Sequence, residues 1–302
     1  MKRTPLFGPD DVVVIAPTPL PWTKDELLDT GTLARNVQRW GETPLSGFVV
    51  GSGGSEETYI SEAELFEAVA VVRDSCPDGK LVIGGIDSPS TTETIRRIHR
   101  FADTGADLIR VRIPQTPSGG NRGEVVEYYS RIAEESPLPI IVIHQTWQSG
   151  GFAATPEEIG EICNLDNVIA YIGWHNVRYE AYVRRFVPPT VAFWSPNGSL
   201  VLPYALIGAS GVCCFFADWA PELITDILLL AKQGRYQEAS ALQEKVFWAD
   251  FIGMSHGVAA LKAGLTLLGY DGSAPRDPVR PLGNDEIDEL RAAFRAAGLL
   301  AT

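Results

Sequence analysis

Short runs of β-branched and apolar residues alternate with stretches of helical period along most of this chain. The runs form eight segments, at 12–16, 47–50, 81–86, 108–113, 140–144, 168–172, 191–194 and 212–216. Amphipathic stretches follow them, at about 25–40, 61–75, 91–104, 123–135, 156–164, 176–186, 199–207 and 221–232. Because the runs are apolar on both faces, they suit buried parallel strands. Eight such units predict an α/β fold, a (β/α)8 TIM barrel, since a doubly wound open sheet rarely needs eight.

The last 70 or so residues have a different pattern. They predict helices at 236–250, 254–269 and 284–297, with a loop rich in proline and glycine at 271–283. We therefore expect a barrel over residues 1–232 and a C-terminal three-helix extension over 233–302. The extension is expected to pack on the barrel as part of one structural unit.

Composition excludes several classes of partner. The chain has 302 residues, 45% of them hydrophobic, and 25 Lys and Arg against 38 Asp and Glu give a net charge of −13. A surface so acidic argues against nucleic acid, whose binding needs basic side chains. The N-terminal segment lacks the apolar region of a signal peptide, and no apolar run reaches 18 residues, so no membrane segment is expected. Four cysteines without metal-binding spacing suit reduced thiols in a cytoplasmic protein.

Aromatic side chains cluster near the predicted C-terminal ends of the strands, where the chemistry of such barrels takes place. Five of the seven tryptophans lie at or just beyond these ends: Trp22, Trp147, Trp174, Trp194 and Trp219. They predict an aromatic-walled pocket, which suits a planar, apolar or cationic ligand. The alternative is that they only fill the top of the barrel and its loops.

Few groups at the strand ends are able to exchange protons or bind anions. The candidates are Glu56, Asp87, Arg110, Arg112, His144, His175 and Asp218. Alternation places Arg110 and Arg112 on one side of the fourth strand, where an inward guanidinium needs either a structural carboxylate or a substrate carboxylate. His144 ends an apolar run, which favours an acid/base role over that of a core histidine. His175 follows in the next loop.

Several motifs in a specific order resemble those of the dihydrodipicolinate synthase and N-acetylneuraminate lyase family, from about residue 11 to 298. They are Thr18-Pro19, the sequence GSGGSE at 51–56, IGGI at 83–86, Ser90-Thr91, GAD at 105–107, LPII at 138–141, GASGV at 208–212 and LKAGL at 261–265. The resemblance implies the same barrel and extension, a homo-oligomer (dimer or tetramer), and pyruvate or a related 2-oxo acid as substrate. It also implies a Schiff base formed by a lysine of the sixth strand.

The residues that carry this chemistry in the family are changed here. The lysine position falls on Ile172, or on Gly173 after a shift of one residue, and the proton-shuttling tyrosine corresponds to Ile143 or His144. The paired threonines of the second loop correspond to Ser52 and Gly53, and an arginine of the fifth loop to Ser149. None of the six lysines, at positions 2, 24, 80, 232, 245 and 262, ends a predicted strand.

Two functions remain open from the sequence. The first is a lyase that acts on a 2-oxo acid or a related carbonyl or carboxylate substrate, by aldol cleavage, dehydration or a similar reaction, without a Schiff base. His144, Arg112 and His175 would be catalytic. The substrate would be bound by Ser52, Gly53, Arg110, Trp147, Trp174, Trp194, Trp219 and Asp218.

The second function is a catalytically silent barrel that binds a small molecule as a sensor or scaffold. No cofactor and no metal are expected. A metal-assisted variant would need His144 and His175 with Glu56 or Asp218, and this spacing is not a recognised metal motif. The position of His144 and of the arginines decides between catalysis and binding, because catalysis needs them in one open pocket.

Overall fold

Eight parallel strands form the centre of the protein, in a computed structural model that describes residues 6–114, 123–144 and 154–301. Each strand pairs with the next along the chain, and the eighth pairs with the first, so that the sheet closes into a barrel. The (β/α)8 prediction is confirmed. The strands are β1 (Val13–Pro17), β2 (Gly47–Val50), β3 (Leu81–Ile86), β4 (Leu108–Arg112), β5 (Ile140–Ile143), β6 (Val168–Ile172), β7 (Ala192–Ser195) and β8 (Gly211–Cys213).

Helices surround the barrel and continue into the C-terminal extension. Around the barrel lie α1 (Thr30–Gly41), α2 (Glu62–Ser75), α3 (Thr91–Thr104), α4 (Glu124–Glu135), α5 (Pro156–Cys163), α6 (Val177–Val183), α7 (Val201–Leu206), α8 (Phe216–Trp219) and α9 (Pro221–Lys232). The extension contains α10 (Tyr236–His256), α11 (Val258–Leu267) and α12 (Asn284–Ala297). In the described part of the chain, no helix is long and apolar enough to cross a membrane.

Side-chain chemistry sets several helix starts. The side chains of Ser61 and Thr155 each accept a hydrogen bond from the backbone N–H three residues later, at Glu64 and Glu158. The carboxylates of these glutamates accept in turn from the backbone N–H of the capping residue. These reciprocal bonds satisfy backbone groups that a helix end leaves unpaired. Glu64 also has a second role in the contacts of the extension described below.

Several predicted boundaries are wrong, among them the start of the first helix, which lies at Thr30 and not near residue 25. The break between the first two tail helices falls at Gly257, whose φ of 57° is unfavourable for residues with a side chain, and not near residue 251. The eighth strand ends at Cys213, before the predicted end at residue 216, because Phe215 already has helical dihedral angles and α8 begins at Phe216.

Alternation along the strands produces two separate apolar layers. The smaller layer fills the inside of the barrel, and the larger one lies between the sheet and the helices. Inside the barrel lie, among others, Ile15, Val49, Ile83, Leu108, Ile141, Ile143, Ala170, Ile172 and Trp194. The extension joins the outer layer, where Trp219 of α8 packs against Gly253 of α10 and Gly264 of α11.

Candidate functional site

Arg110 and Arg112 both project into the barrel. They share a face of β4 with Leu108, which belongs to the inner apolar layer, and their side chains are 3% and 5% exposed. Gly85 of β3, the register partner of Arg110, makes room for this arrangement: a Cβ there would lie 1.7 Å from the carbonyl oxygen of Gly51 and 3.2 Å from Arg110 Nη2. The two arginines therefore lie on the same face of β4, as the alternation predicts.

Two carboxylates from neighbouring strand ends meet these arginines. Arg112 Nε lies 2.5 and 2.6 Å from the two oxygens of Asp87, which directly follows β3. Glu57, from the loop after β2, spans both arginines, with Oε2 3.5 Å from Arg110 Nη2 and Oε1 3.5 Å from Arg112 Nη2. We call these four residues the arginine–carboxylate cluster. Arg110 Nη2 also donates to the carbonyl oxygen of Gly51 at 3.2 Å.

The electrostatics of this cluster make Glu57 a titratable group near neutral pH. Burial raises the pKa of Glu57 to about 7, and the like charge of Asp87 adds to the rise, while Arg110 and Arg112 act in the opposite direction. Burial and the neighbouring Arg110 lower the pKa of Arg112, although an arginine stays protonated throughout the physiological range. Glu57 is therefore suited to accept or donate a proton beside two fixed positive charges.

A cleft of about 280 Å³ opens beside the cluster. This volume lies near the lower end of the usual range for small-molecule sites, about 300–1,000 Å³. It suits a substrate of few carbon atoms. The lining residues are Gly51, Glu57, Thr58, Ile60, Leu65, Gly85, Asp87, Ser88, Pro89, Arg97, Arg112, Ile113 and Pro114.

Ser52 and Gly53 belong to the same loop as Glu57. Gly53 begins a short 3-10 turn, Gly53–Ser55, and Ser52 Oγ lies 3.3 Å from Ser55 Oγ. The backbone N–H of Glu57 donates to the carbonyl oxygen of Ser52 at 3.2 Å. The two predicted binding positions thus lie in the loop that carries the Glu57 carboxylate, and the Ser52 hydroxyl pairs with Ser55 rather than with the arginines.

His144 lies on the other side of the sheet. Ile143 points into the barrel, so the next residue points outward, and the His144 ring is fully buried between the sheet and α6. Its Nδ1 lies 3.1 Å from the hydroxyl of Tyr171 and 3.3 Å from Glu180 Oε1. Among the residues that the structure describes, none hydrogen-bonds to His144 Nε2. The structure therefore does not bring His144 together with Arg110 and Arg112.

The other predicted site residues near His144 lie in the segment after β6. His175 is exposed, and desolvation lowers its pKa. The ring centroid of Trp174 lies 6.2 Å from that of His144, and the Trp174 backbone N–H donates to Glu180 Oε1 at 3.0 Å. Trp147 lies outside the described residues.

The remaining tryptophans have different neighbours. Trp194 is fully buried inside the barrel, with its ring centroid 5.1 Å from that of Phe7, which precedes β1 and so lies towards the end where the strands begin. Trp219 donates its indole N–H to the carbonyl oxygen of Leu261 in the extension at 3.0 Å. Trp22 donates its indole N–H to Glu56. These three tryptophans thus have packing roles, and the structure does not gather Trp194 and Trp219 at one mouth.

Asp218 is the most isolated ionisable group in the described part of the chain. It is 1% exposed, and neither carboxyl oxygen has a hydrogen-bond partner among the described residues. Burial raises the pKa of Asp218 well above its ordinary value. The described residues contain no group of three or more His, Cys, Asp or Glu arranged to hold a metal ion, so the donor set considered from the sequence is not assembled there.

The fold and the sequence together identify a family. Residues 12–297 match the model of the dihydrodipicolinate synthetase family. The chain belongs to this family. An uncharacterized DapA-like lyase of Halobacterium salinarum is 27% identical over 296 residues, covering 95% of this chain and 94% of its own. A probable mitochondrial 4-hydroxy-2-oxoglutarate aldolase of Emericella nidulans is 24% identical over 287 residues, covering 93% of each chain.

Solved structures of the dihydrodipicolinate synthetase family share the fold. The crystal structure of the dihydrodipicolinate synthase of Cyanidioschyzon merolae with lysine bound has a TM-score of 0.89. It covers 96% of this chain and 99% of its own at 23% identity. In this barrel, Ile143 and not His144 faces the inside. Its register partner on the neighbouring strand is Ile172.

Sequence reasoning missed Glu57. The motif of the second loop ends at Glu56, and Glu57 is a second glutamate directly after it that is not among the candidates chosen from the sequence. The second glutamate is the one that contacts the arginines, whereas Glu56 turns towards the extension. The sequence does contain a signal for Glu57. It is the second of two consecutive glutamates at a strand end, and two arginines on one face of β4 need a carboxylate partner.

Proposed function

We propose that this chain is a lyase that acts on a 2-oxo acid or a related carbonyl or carboxylate substrate by acid–base chemistry, without a lysine Schiff base. The observation that carries the proposal is Glu57, a carboxyl group with a pKa of about 7 held between Arg110 and Arg112 inside the barrel. The pair of guanidinium groups supplies an anion site, and the carboxyl group supplies a base. Glu57 and Arg112 line the cleft.

The arginines would serve two functions during the reaction. A guanidinium group binds a carboxylate through two parallel hydrogen bonds, which fixes the substrate. In the cleavage of a 4-hydroxy-2-oxo acid, Glu57 accepts the proton of the hydroxyl group. The carbon–carbon bond then breaks to give an aldehyde, and its electrons form an enolate. Arg112 or Arg110 stabilises the enolate oxygen by hydrogen bonds and positive charge. Protonation of the enolate carbon by Glu57 completes the cycle.

Two observations favour this chemistry over imine formation. Ile172 ends β6, at the position where the resemblance implies a lysine, and its side chain lies in the inner apolar layer. The buried amine of Lys262 belongs to α11 and is paired with Glu56 at 2.7 Å, so it is already engaged. The relative named as an aldolase of 4-hydroxy-2-oxoglutarate supports a 2-oxo acid as the substrate class.

The proposal is tested by a panel of 4-hydroxy-2-oxo acids and 2-oxo-3-deoxy sugar acids, with product formation followed by NMR. We expect one class to be cleaved, and Glu57→Gln to lower kcat by about 10²-fold or more, the usual contribution of a general acid or base. Glu134→Gln, at an exposed site on α4, is the matched control and keeps full activity. Full activity of Glu57→Gln on the substrate that is found would overturn the assignment.

One observation favours the second candidate, a silent binding barrel. Both arginines already contact carboxylates of this chain, so the cluster is balanced without a ligand. Under this alternative, the same panel gives heat of binding in calorimetry but no product. In that case Arg112→Met abolishes the heat of binding, and neither the wild type nor the variant forms product.

We also propose a homo-oligomer, a dimer or a tetramer, in the cytoplasm. Helix α10 exposes four large apolar side chains at helical spacing, Phe247, Trp248, Phe251 and Met254, which is unusual for a surface that faces only water. The four cysteines are all free thiols, as suits a reducing compartment. Mass photometry of the chain and of Phe251→Glu tests the assembly, since a monomeric wild type would contradict it.

A further inference from the structure

Glu56 is a buried carboxylate that joins three distant parts of the chain. It is 2% exposed. Its Oε2 accepts from the indole N–H of Trp22 at 2.6 Å and lies 2.7 Å from Lys262 Nζ, while Oε1 accepts from the backbone N–H of Arg276 at 2.7 Å. Trp22 follows β1, Glu56 follows β2, and the other two residues belong to the extension. The extension therefore reaches the second barrel loop through the buried side chain of Glu56, and again where Arg276 Nη1 donates to the carbonyl oxygen of Tyr59 at 3.0 Å.

The extension is itself fixed around this carboxylate. Lys262 is 1% exposed and also donates to the carbonyl oxygen of Ala274 at 3.0 Å. The Arg276 guanidinium stacks 4.3 Å from the centroid of the Trp22 ring and contacts Glu64 of α2 at 2.8 Å. Both carboxyl oxygens of Glu56 are therefore engaged by groups that are themselves held in place.

The backbone of Glu56 lies in the left-handed region, with a φ of 55°. This conformation is unfavourable for a residue with a side chain, and it persists where surrounding contacts impose it. Without the contacts of its side chain to Lys262 and Arg276, residue 56 would return to a negative φ. The next side chain, that of Glu57, would then turn away from Arg110 and Arg112.

We propose that Lys262 and Glu56 form a positioning pair, through which the C-terminal extension holds Glu57 against Arg110 and Arg112. The inference rests on the role of Glu57 in the proposed function. Lys262 touches neither the cleft nor the arginine–carboxylate cluster in any contact that the structure shows, so it acts through Glu56. A purely structural lysine would affect only the stability of the fold.

The titration of Glu57 distinguishes these two roles. Its carboxyl group faces Arg110 and Arg112 of β4 and Asp87 after β3, and its pKa of about 7 results mainly from burial. If the loop loses its anchor, Glu57 gains water, and its pKa falls towards 4.5, the ordinary value for a glutamate. A substitution that only lowers the stability of the fold leaves the pKa of Glu57 at its wild-type value.

The experiment is a pH titration of the full-length chain labelled with [13C]glutamate, in which the Glu57 carboxyl signal is assigned by its loss in Glu57→Gln. We expect a midpoint near pH 7 for the wild type and a midpoint at least one pH unit lower for Lys262→Met. Lys245→Met, at an exposed site on α10, controls for the loss of a charge. Phe294→Leu, in the buried core of α12, controls for the loss of stability. Both controls keep the wild-type midpoint.

Lys262→Met leaves Glu56 buried without its cation, and this variant fails to fold if the cost is too large. The double variant Glu56→Gln with Lys262→Met removes both charges and decides the question in that case, with the same lowered midpoint expected. A wild-type midpoint in either folded variant overturns the positioning pair. Because the titration needs no substrate, this failure is separate from that of the proposed function, which Glu57→Gln tests through turnover.

Discussion

Ile143 of β5 and Ile172 of β6 are register partners, and both side chains lie in the apolar interior of the barrel. The resemblance to the family implies a proton-shuttling tyrosine at position 143 or 144 and a Schiff-base lysine at position 172 or 173. Of these positions, 143 and 172 are the register partners, and both carry apolar side chains here. The nearest ionisable group on an adjacent strand is Arg112, the register partner of Ile143 on β4.

We predict that the protein forms no imine with pyruvate. Among the described lysines, the buried one, Lys262, is held by Glu56 and Ala274, and Lys80 donates to the carbonyl oxygens of Thr43 and Leu45. Incubation with pyruvate and borohydride should therefore leave the intact mass unchanged. A family member that has the β6 lysine serves as the positive control. A reduced adduct on any lysine of this chain would refute the prediction.

The pH dependence of stability should report on Glu57. Burial raises its folded-state pKa from 4.5 to about 7, so the folded state binds more protons than the unfolded state between these values. The contribution of Glu57 to stability is complete below pH 4.5 and is lost as the pH rises through 7. The loss amounts to about 3.5 kcal/mol at most, at roughly 1.4 kcal/mol for each pH unit.

Urea unfolding at pH 5 and pH 8 measures this effect. The wild type should lose more stability between the two values than Glu57→Gln, whose side chain does not titrate. Glu244→Gln, on the exposed face of α10, should follow the wild type. Equal pH dependence in the wild type and Glu57→Gln would show that Glu57 has an ordinary pKa.

The fold was predictable because strand and helix periods are properties of short segments. The same alternation rule placed Arg110 and Arg112 on one face of β4, as found. The rule did not decide the orientation of His144, since the family alignment left the tyrosine position open between residues 143 and 144. A shift of one residue reverses the face of a strand residue. Glu57 was missed because its partners come from a different strand, and their proximity depends on the closed barrel.

The position of His144 predicts that its removal affects stability more than turnover. Its Nδ1 lies near Tyr171 and Glu180, in a buried cluster outside the barrel. His144→Ala leaves a cavity and removes a partner of the Glu180 carboxylate, so we expect a loss of about 2–4 kcal/mol in the free energy of unfolding. His144→Gln keeps a hydrogen-bonding group and should cost less.

Kinetics of these two variants test the catalytic role that the sequence favoured. We expect kcat on the substrate that is found to stay within about threefold of the wild type in His144→Gln, while Glu57→Gln loses about 10²-fold or more. A hundredfold loss in His144→Gln, with unchanged thermal stability, would restore His144 as the acid/base group.

The titration of Asp218 should affect stability. Its carboxyl group is buried in α8 without a hydrogen-bond partner among the described residues. Burial raises its folded-state pKa well above the ordinary value. Asp218 therefore stabilises the fold fully below its unfolded pKa, and this contribution is lost as the pH rises through the folded pKa. Asp218→Asn has the same shape and does not titrate. Between the two pKa values, the stability of the variant relative to the wild type should rise by about 1.4 kcal/mol for each pH unit.

Thermal and urea unfolding of both proteins from pH 4 to pH 8 measure this difference. Asp226→Asn, at an exposed site on α9, is the matched control for the exchange of a carboxyl group for an amide. A constant difference between Asp218→Asn and the wild type would mean that Asp218 is ionised in the folded protein, with a cation beside it. Because Asp218 was also predicted to bind substrate, KM is measured at the same time. A raised KM at unchanged stability would place the Asp218 carboxyl group in the binding site.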